Sequence, residues 1–141
     1  MAPNTADSHK RINDILLGAL ERPALQWLAK RTPAWLTPDG LTAIGLGASA
    51  LVALSLYLSN YNTYWLILAI VGIILNWYGD SPDGTVARYR RIERPRYGFF
   101  MDHATDAVSS IFIIGGLGIS PYFDFTIAML GLVAWLCVNI V

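Results

Sequence analysis

DSPDGTVARYRRIERPRYGFFMDHATD, residues Asp80 to Asp106, is the stretch on which the reading of this chain turns. It holds four aspartates, and long apolar segments run into it from both sides. Carboxylates at the end of a membrane helix are expensive and mark function by default. Their spacing is helical. Asp80, Asp83 and Ala87 fall at i, i+3 and i+7, while Gly98, Asp102 and Asp106 fall at i, i+4 and i+8, so each set shares one helical face. The residues between the two sets suffice for a turn that brings the faces together. Four carboxylates facing one another repel strongly unless a cation sits between them, and two divalent ions would balance the four charges.

Outward from this stretch the chain is apolar. Of its 141 residues, 55% are hydrophobic, and the mean hydropathy is positive, too apolar for an ordinary soluble domain. The formal net charge is zero, so no bulk basic surface points to nucleic acid. The single Cys137 lies in an apolar run and reads as inert packing or lipid contact. Four uncharged or weakly charged segments read as membrane spans: Leu41 to Ser59, Tyr61 to Gly79, Gly98 to Ile119 and Phe125 to Val141. Gly45, Gly47, Ala48 and Ala50 give the first a small-residue surface for close helix contact, and Gly115, Gly116 and Gly118 do so in the third, with a dimer seam as one use. Tyr61, Tyr64, Trp65, Trp77 and Tyr78 place aromatics at both rims of the second.

Ahead of the spans, residues 1–34 form a cytoplasmic N-terminal segment, with residues 1–7 as a frayed terminus. From about Ser8 to Glu21 a stripe of Ile12, Leu16 and Leu20 opposes His9, Lys10, Arg11 and Asp14, as in a helix lying flat on a membrane. Pro23 is expected to break or kink it. Trp27, Trp35, Lys30 and Arg31 suit headgroup level. All ten Lys and Arg lie within residues 10–31 and 88–96, and none lies in the turns at 60–63 or 120–124. The positive-inside rule then puts the N-terminus and the aspartate cluster on the cytoplasmic side of a multi-pass protein. The fold expected is all-α: an integral membrane bundle of four transmembrane helices behind an interfacial helix.

Asp80-x-x-Asp83-Gly84-x-x-Ala87-Arg88, nine residues, then Gly98-x-x-x-Asp102-x-x-x-Asp106 resembles the signature of the CDP-alcohol phosphotransferase family. The resemblance covers residues 35–141, read as one transmembrane domain. The family is usually a six-helix homodimeric membrane bundle, so the resemblance implies that this chain stops two helices short. It implies transfer of a phosphoalcohol group, read as phosphatidyl, from a CDP-alcohol to an acceptor alcohol with release of CMP, in phospholipid biosynthesis. It further implies that Asp80, Asp83 and Asp102 hold divalent metal, and that Asp106 is the general base and touches a second metal. Mg²⁺ or Mn²⁺, two ions, fits carboxylate oxygens and phosphates. Small Gly84, Ala87 and Gly98 let a nucleotide approach the backbone. Arg88 pairs with phosphate or with an aspartate. Thr37-Pro38-Asp39-Gly40-Leu41-Thr42 resembles the family's segment entering the first span, which can lie near the cytidine, and reads equally as a plain helix start with Thr37 as cap. Arg90, Arg91, Arg94 and Arg96 face anionic headgroups or steer substrate. His103 reads as a polar or interfacial residue. Pro82, inside the motif, is expected to kink its helix beside Asp80 and Asp83. Two other classes stand beside the enzyme: a membrane protein that keeps the motif without activity, and an ion or proton transporter.

Overall fold

A computed structural model describes residues 18–139; residues 8–17 of the interfacial stripe read from Ser8 to Glu21, and the last two residues, lie outside them. The described residues are entirely helical and irregular, without strands. Six helices follow one another: α1 (Gly18–Arg31), α2 (Pro38–Leu58), α3 (Trp65–Asp80), α4 (Asp83–Tyr89), α5 (Pro95–Gly118) and α6 (Phe125–Asn139).

Helix α2 is the centre of the bundle. Thr37 caps it, its Oγ1 accepting from the Gly40 N–H at 3.0 Å, and Pro38 opens its first turn. Its buried face is built of small residues, Gly45, Ala48, Ser49, Val52 and Ser55, so neighbouring helices approach to backbone distance. The two serine hydroxyls are satisfied within the helix, by Leu46 O and Leu51 O at 2.7 Å each. Against this face lies α3. A Cβ on Gly79 would stand 2.5 Å from Gly45 Cα and 2.6 Å from the Leu41 carbonyl oxygen, so only glycine fits there. The Asn76 side-chain amide fixes the same crossing by donating to Gly45 O at 2.9 Å. Helix α5 packs on α2 through Gly116, where a Cβ would meet Ala53 Cα at 2.6 Å, and α6 packs on α5 where Gly118 meets Ala128. Gly116 and Gly118 thus serve packing within the chain, while Gly115 faces open space. At the opposite end from the aspartates, Asn60 Nδ2 donates to Ile119 O at 3.0 Å and joins two turns.

Large apolar side chains point outward, among them Ile67, Ile70, Ile73 and Ile74 on α3 and Leu130 and Val133 on α6. Outward apolar faces on helices with small-residue contacts inside are the arrangement of a helical membrane protein. Two stretches, Pro38–Leu58 and Trp65–Tyr89, are long and apolar enough to cross a membrane. Helix α5 has the length, 24 residues, with charged residues in its first half, and α6 is apolar over its 15 residues.

At the two prolines the helices differ from a simple expectation of breaking or kinking, and at Pro23 the break does not occur. Helix α1 runs through Pro23 without a break: the lost N–H removes one bond, and the turn after it, packed on α4 through buried Ala29, carries on. At Pro82 the effect is larger than a kink. Helix α3 ends at Asp80, its cap closed by the Ser81 N–H on Trp77 O, and a new helix starts at Asp83 with the Val86 N–H on Pro82 O at 2.8 Å. Pro82 itself is fully buried.

Candidate active site

Asp80 and Asp83 lie on either side of the α3–α4 break, and Asp102 and Asp106 lie one turn apart in the first half of α5. The expected convergence occurs: all four line one open cavity of about 550 Å³, together with Gly84, Ala87, Arg88 and Gly98. The cavity mouth is bounded by the start of α2 and by the loop that leads into α5, residues 92–94. Below it a core of Leu36, Leu41, Val86 and Ala29, with Tyr78 against them, ties α1, α2, α3 and α4 together.

Asp83 is the most firmly held of the four carboxylates. One oxygen accepts from Thr42 Oγ1 on α2 at 2.7 Å, and the other accepts from the Gly84 N–H. Among the described residues no side chain donates to Asp80, Asp102 or Asp106, and no Lys or Arg forms an ion pair with any of the four. Arg88 donates to Thr85 Oγ1 at 3.2 Å instead of to an aspartate. Six carboxylates line the cavity against two guanidiniums, Arg88 and Arg94, so it carries an excess of negative charge, which attracts cations. Added Cβ atoms on Gly98 would meet nothing within 4 Å, and on Gly84 only the Arg88 guanidinium at 3.7 Å, so both faces leave room for a ligand against the backbone.

The donor set fits a hard divalent cation in kind, since four carboxylates from two chain segments offer oxygen alone. No three His, Cys, Asp or Glu side chains among the described residues stand together as a finished metal cluster. Full coordination would need rotation of these side chains or oxygens from a ligand.

Other residues sit differently from their sequence reading. Thr37 is occupied in capping α2 and does not line the cavity; Pro38, Asp39 and Thr42 beside it do. Thr42 closes the segment 37–42 read as able to lie near the cytidine, but its bond to Asp83 was not expected. The usable signal was its spacing, since Asp39 and Thr42 are three apart on one face of α2, whereas Thr37 precedes the helix. Arg90 faces neither headgroups nor substrate. It donates to Leu36 O at 2.6 Å, Pro33 O at 2.8 Å and Thr32 O at 3.0 Å, fastening the end of α4 to the α1–α2 turn. Arg94 pairs with Asp39. His103 is exposed, its Nδ1 2.9 Å from Phe99 O and its ring against Phe99.

The model of the CDP-alcohol phosphatidyltransferase family matches residues 35–141, which include every motif position above. The chain belongs to the CDP-alcohol phosphatidyltransferase family. Among curated members, cholinephosphotransferase 1 of Gallus gallus is 32% identical over 123 residues, 79% of this chain and 36% of the relative. The Danio rerio protein of the same name is 30% identical, over 80% of this chain and 32% of its own length. That of Homo sapiens is 27% identical, over 86% and 34%. The chain spans about a third of the length of these relatives. No solved structure matches it significantly.

Proposed function

We propose that this chain carries the catalytic half-site of a phosphoalcohol transferase that moves phosphocholine, or a close analogue, from a CDP-alcohol to a lipid alcohol with release of CMP. The observation that carries this reading is the opening of four motif aspartates into one cavity whose glycine faces are clear. The cholinephosphotransferase relatives favour this branch over phosphatidyl transfer. In the reaction the acceptor oxygen bonds to the distal phosphorus of the diphosphate, the bridging P–O bond breaks, and CMP leaves. Asp106 takes the acceptor hydroxyl proton. Asp80, Asp83 and Asp102 would hold Mg²⁺ or Mn²⁺, two ions with Asp106, and when bound the metal offsets charge on the diphosphate and the leaving CMP. Thr42 and the Gly84 N–H keep Asp83 aimed. Gly84, Ala87 and Gly98 admit the nucleotide, and Arg88, which holds only a neutral hydroxyl, is free to turn to phosphate.

The further assignments rest on the same placement and, for the homodimer, on the family resemblance alone. The described Lys and Arg gather at the cavity end of the bundle, so the multi-pass chain is oriented with that end to the cytoplasm. Residues 1–34 form the segment preceding a membrane domain of 35–141, and a homodimer is its working form. The test uses the full chain in lipid nanodiscs with CDP-choline, diacylglycerol and Mg²⁺ or Mn²⁺. Metal-dependent release of CMP with formation of phosphatidylcholine is expected, and chelation with EDTA abolishes it. A folded sample that releases no CMP from CDP-choline, CDP-ethanolamine or CDP-diacylglycerol would return the chain to the motif-retaining, inactive class.

A further inference from the structure

Asp39 and Arg94 form the single ion pair among the described residues, and both line the candidate active-site cavity. Asp39 belongs to the first turn of α2 and Arg94 directly precedes α5, so the pair crosses the mouth between two elements. It is loose: one contact, Nη2 to Oδ2, at 3.5 Å, with side chains 63% and 47% exposed. The guanidinium also lies 5.1 Å from the Tyr97 ring centroid, which limits its swing. A single-point pair in solvent holds weakly and is readily exchanged. The neighbouring arginines differ. Arg90 is locked on three carbonyls, and Arg88 rests on a neutral hydroxyl with no carboxylate partner. Arg94 is therefore the cavity-lining cation held by a charge that an anionic ligand can replace.

We infer that Arg94 is a substrate-binding residue that leaves Asp39 for the diphosphate of the incoming CDP-alcohol, and that Asp39 is its internal competitor. A diphosphate carries more charge than one carboxylate and offers paired oxygens to the planar guanidinium, so the exchange runs toward the ligand. Without Arg94, the bare Asp39 carboxylate adds to the negative charge that the diphosphate must pass. The inference rests on the CDP-alcohol reading of the cavity.

The two partners then have opposite effects, which a merely structural ion pair does not. In the full chain in nanodiscs, Arg94→Ala is expected to raise KM for CDP-choline about tenfold, with kcat little changed. Asp39→Asn is expected to lower KM by roughly threefold, and the double variant follows Arg94→Ala. Tighter binding by Asp39→Asn cannot arise from misfolding. Equal weakening by both single variants, or no change in either, overturns the inference. Calorimetric titration with inorganic pyrophosphate ranks the same variants without turnover. A chain that shows this ranking yet releases no CMP fails the enzyme reading alone, and a chain that transfers phosphocholine without the ranking fails this inference alone.

Discussion

Asp83 and Asp106 differ in how much of their geometry is already decided. Asp83 has both oxygens engaged, by Thr42 and the Gly84 N–H, whereas Asp106 is half-buried with no described donor. That difference suits one carboxylate to holding and the other to accepting a proton. Asp106→Asn is expected to keep CDP-choline binding within a few-fold while lowering single-turnover CMP release by roughly a hundredfold or more. Asp80→Asn weakens metal-dependent nucleotide binding as well, and an Asp106→Asn enzyme at the wild-type rate would refute the base assignment. Arg91 illustrates a residue whose backbone is under strain. The Ile92 N–H bonds Ala87 O and the Arg91 N–H bonds Arg88 O, a Schellman end in which Arg91 takes φ 56°. Glycine is the usual occupant, so Arg91→Gly should raise stability by about 1 kcal/mol in thermal melts. Transfer should be unchanged, because Arg91 does not line the cavity. The contacts that hold Asp83 and Arg90 are not written in local spacing: Thr42 meets Asp83 across 41 residues, and Arg90 meets its carbonyls across 54–58.

At the scale of elements, the helices and the Asp102–Asp106 face of α5 were legible because each rests on a short period that the chain repeats, whereas the expected common face of Asp80 and Asp83 is split between two helices. The α3–α4 junction was only half legible. A proline removes one donor and crowds one carbonyl, but whether a kink or a break follows depends on what the freed groups find. Here Ser81 closes α3 and Pro82 O starts α4, so the helix breaks and each half carries one aspartate. The α2–α3 crossing sets where Asp80 stands, since Gly79 precedes it directly. Gly79→Ala would drive a Cβ into the α2 backbone at Gly45 and Leu41. A loss of about 1–3 kcal/mol or more, with a fall in CMP release, is the expected outcome. Gly47→Ala is the control: its Cβ would meet nothing within 4 Å, so a gain of about 0.5–1 kcal/mol is expected. Equal melting temperatures for the two variants would show that the crossing does not position the site.

Across the whole molecule, polarity is divided by end. One end holds the cavity and the described Lys and Arg residues, and the other holds aromatic turns without Lys or Arg, stitched by Asn60. Composition alone made that division readable. What it could not show is that the N-terminal helix, the α1–α2 turn and α4 form one fastened platform under the cavity, because the fastening is done by Arg90 and by the Ala29, Leu36, Leu41 and Val86 core.

The length of α3 has a consequence for the lipid around the protein. Its 16 residues extend about 24 Å, and the carboxylates begin where it ends. A hydrocarbon layer is about 30 Å thick, so a bilayer whose far rim lies at Trp65 would enclose the Asp80 end of α3 or thin locally around it. A lipid alcohol, whose hydroxyl sits at the base of the headgroup layer, would then meet the aspartates without leaving its leaflet. Vesicles of short-chain phosphatidylcholine should accordingly support faster transfer than long-chain vesicles at equal protein insertion. A rate indifferent to acyl length would mean that the acceptor climbs to the site, and that the membrane does not sink to meet it.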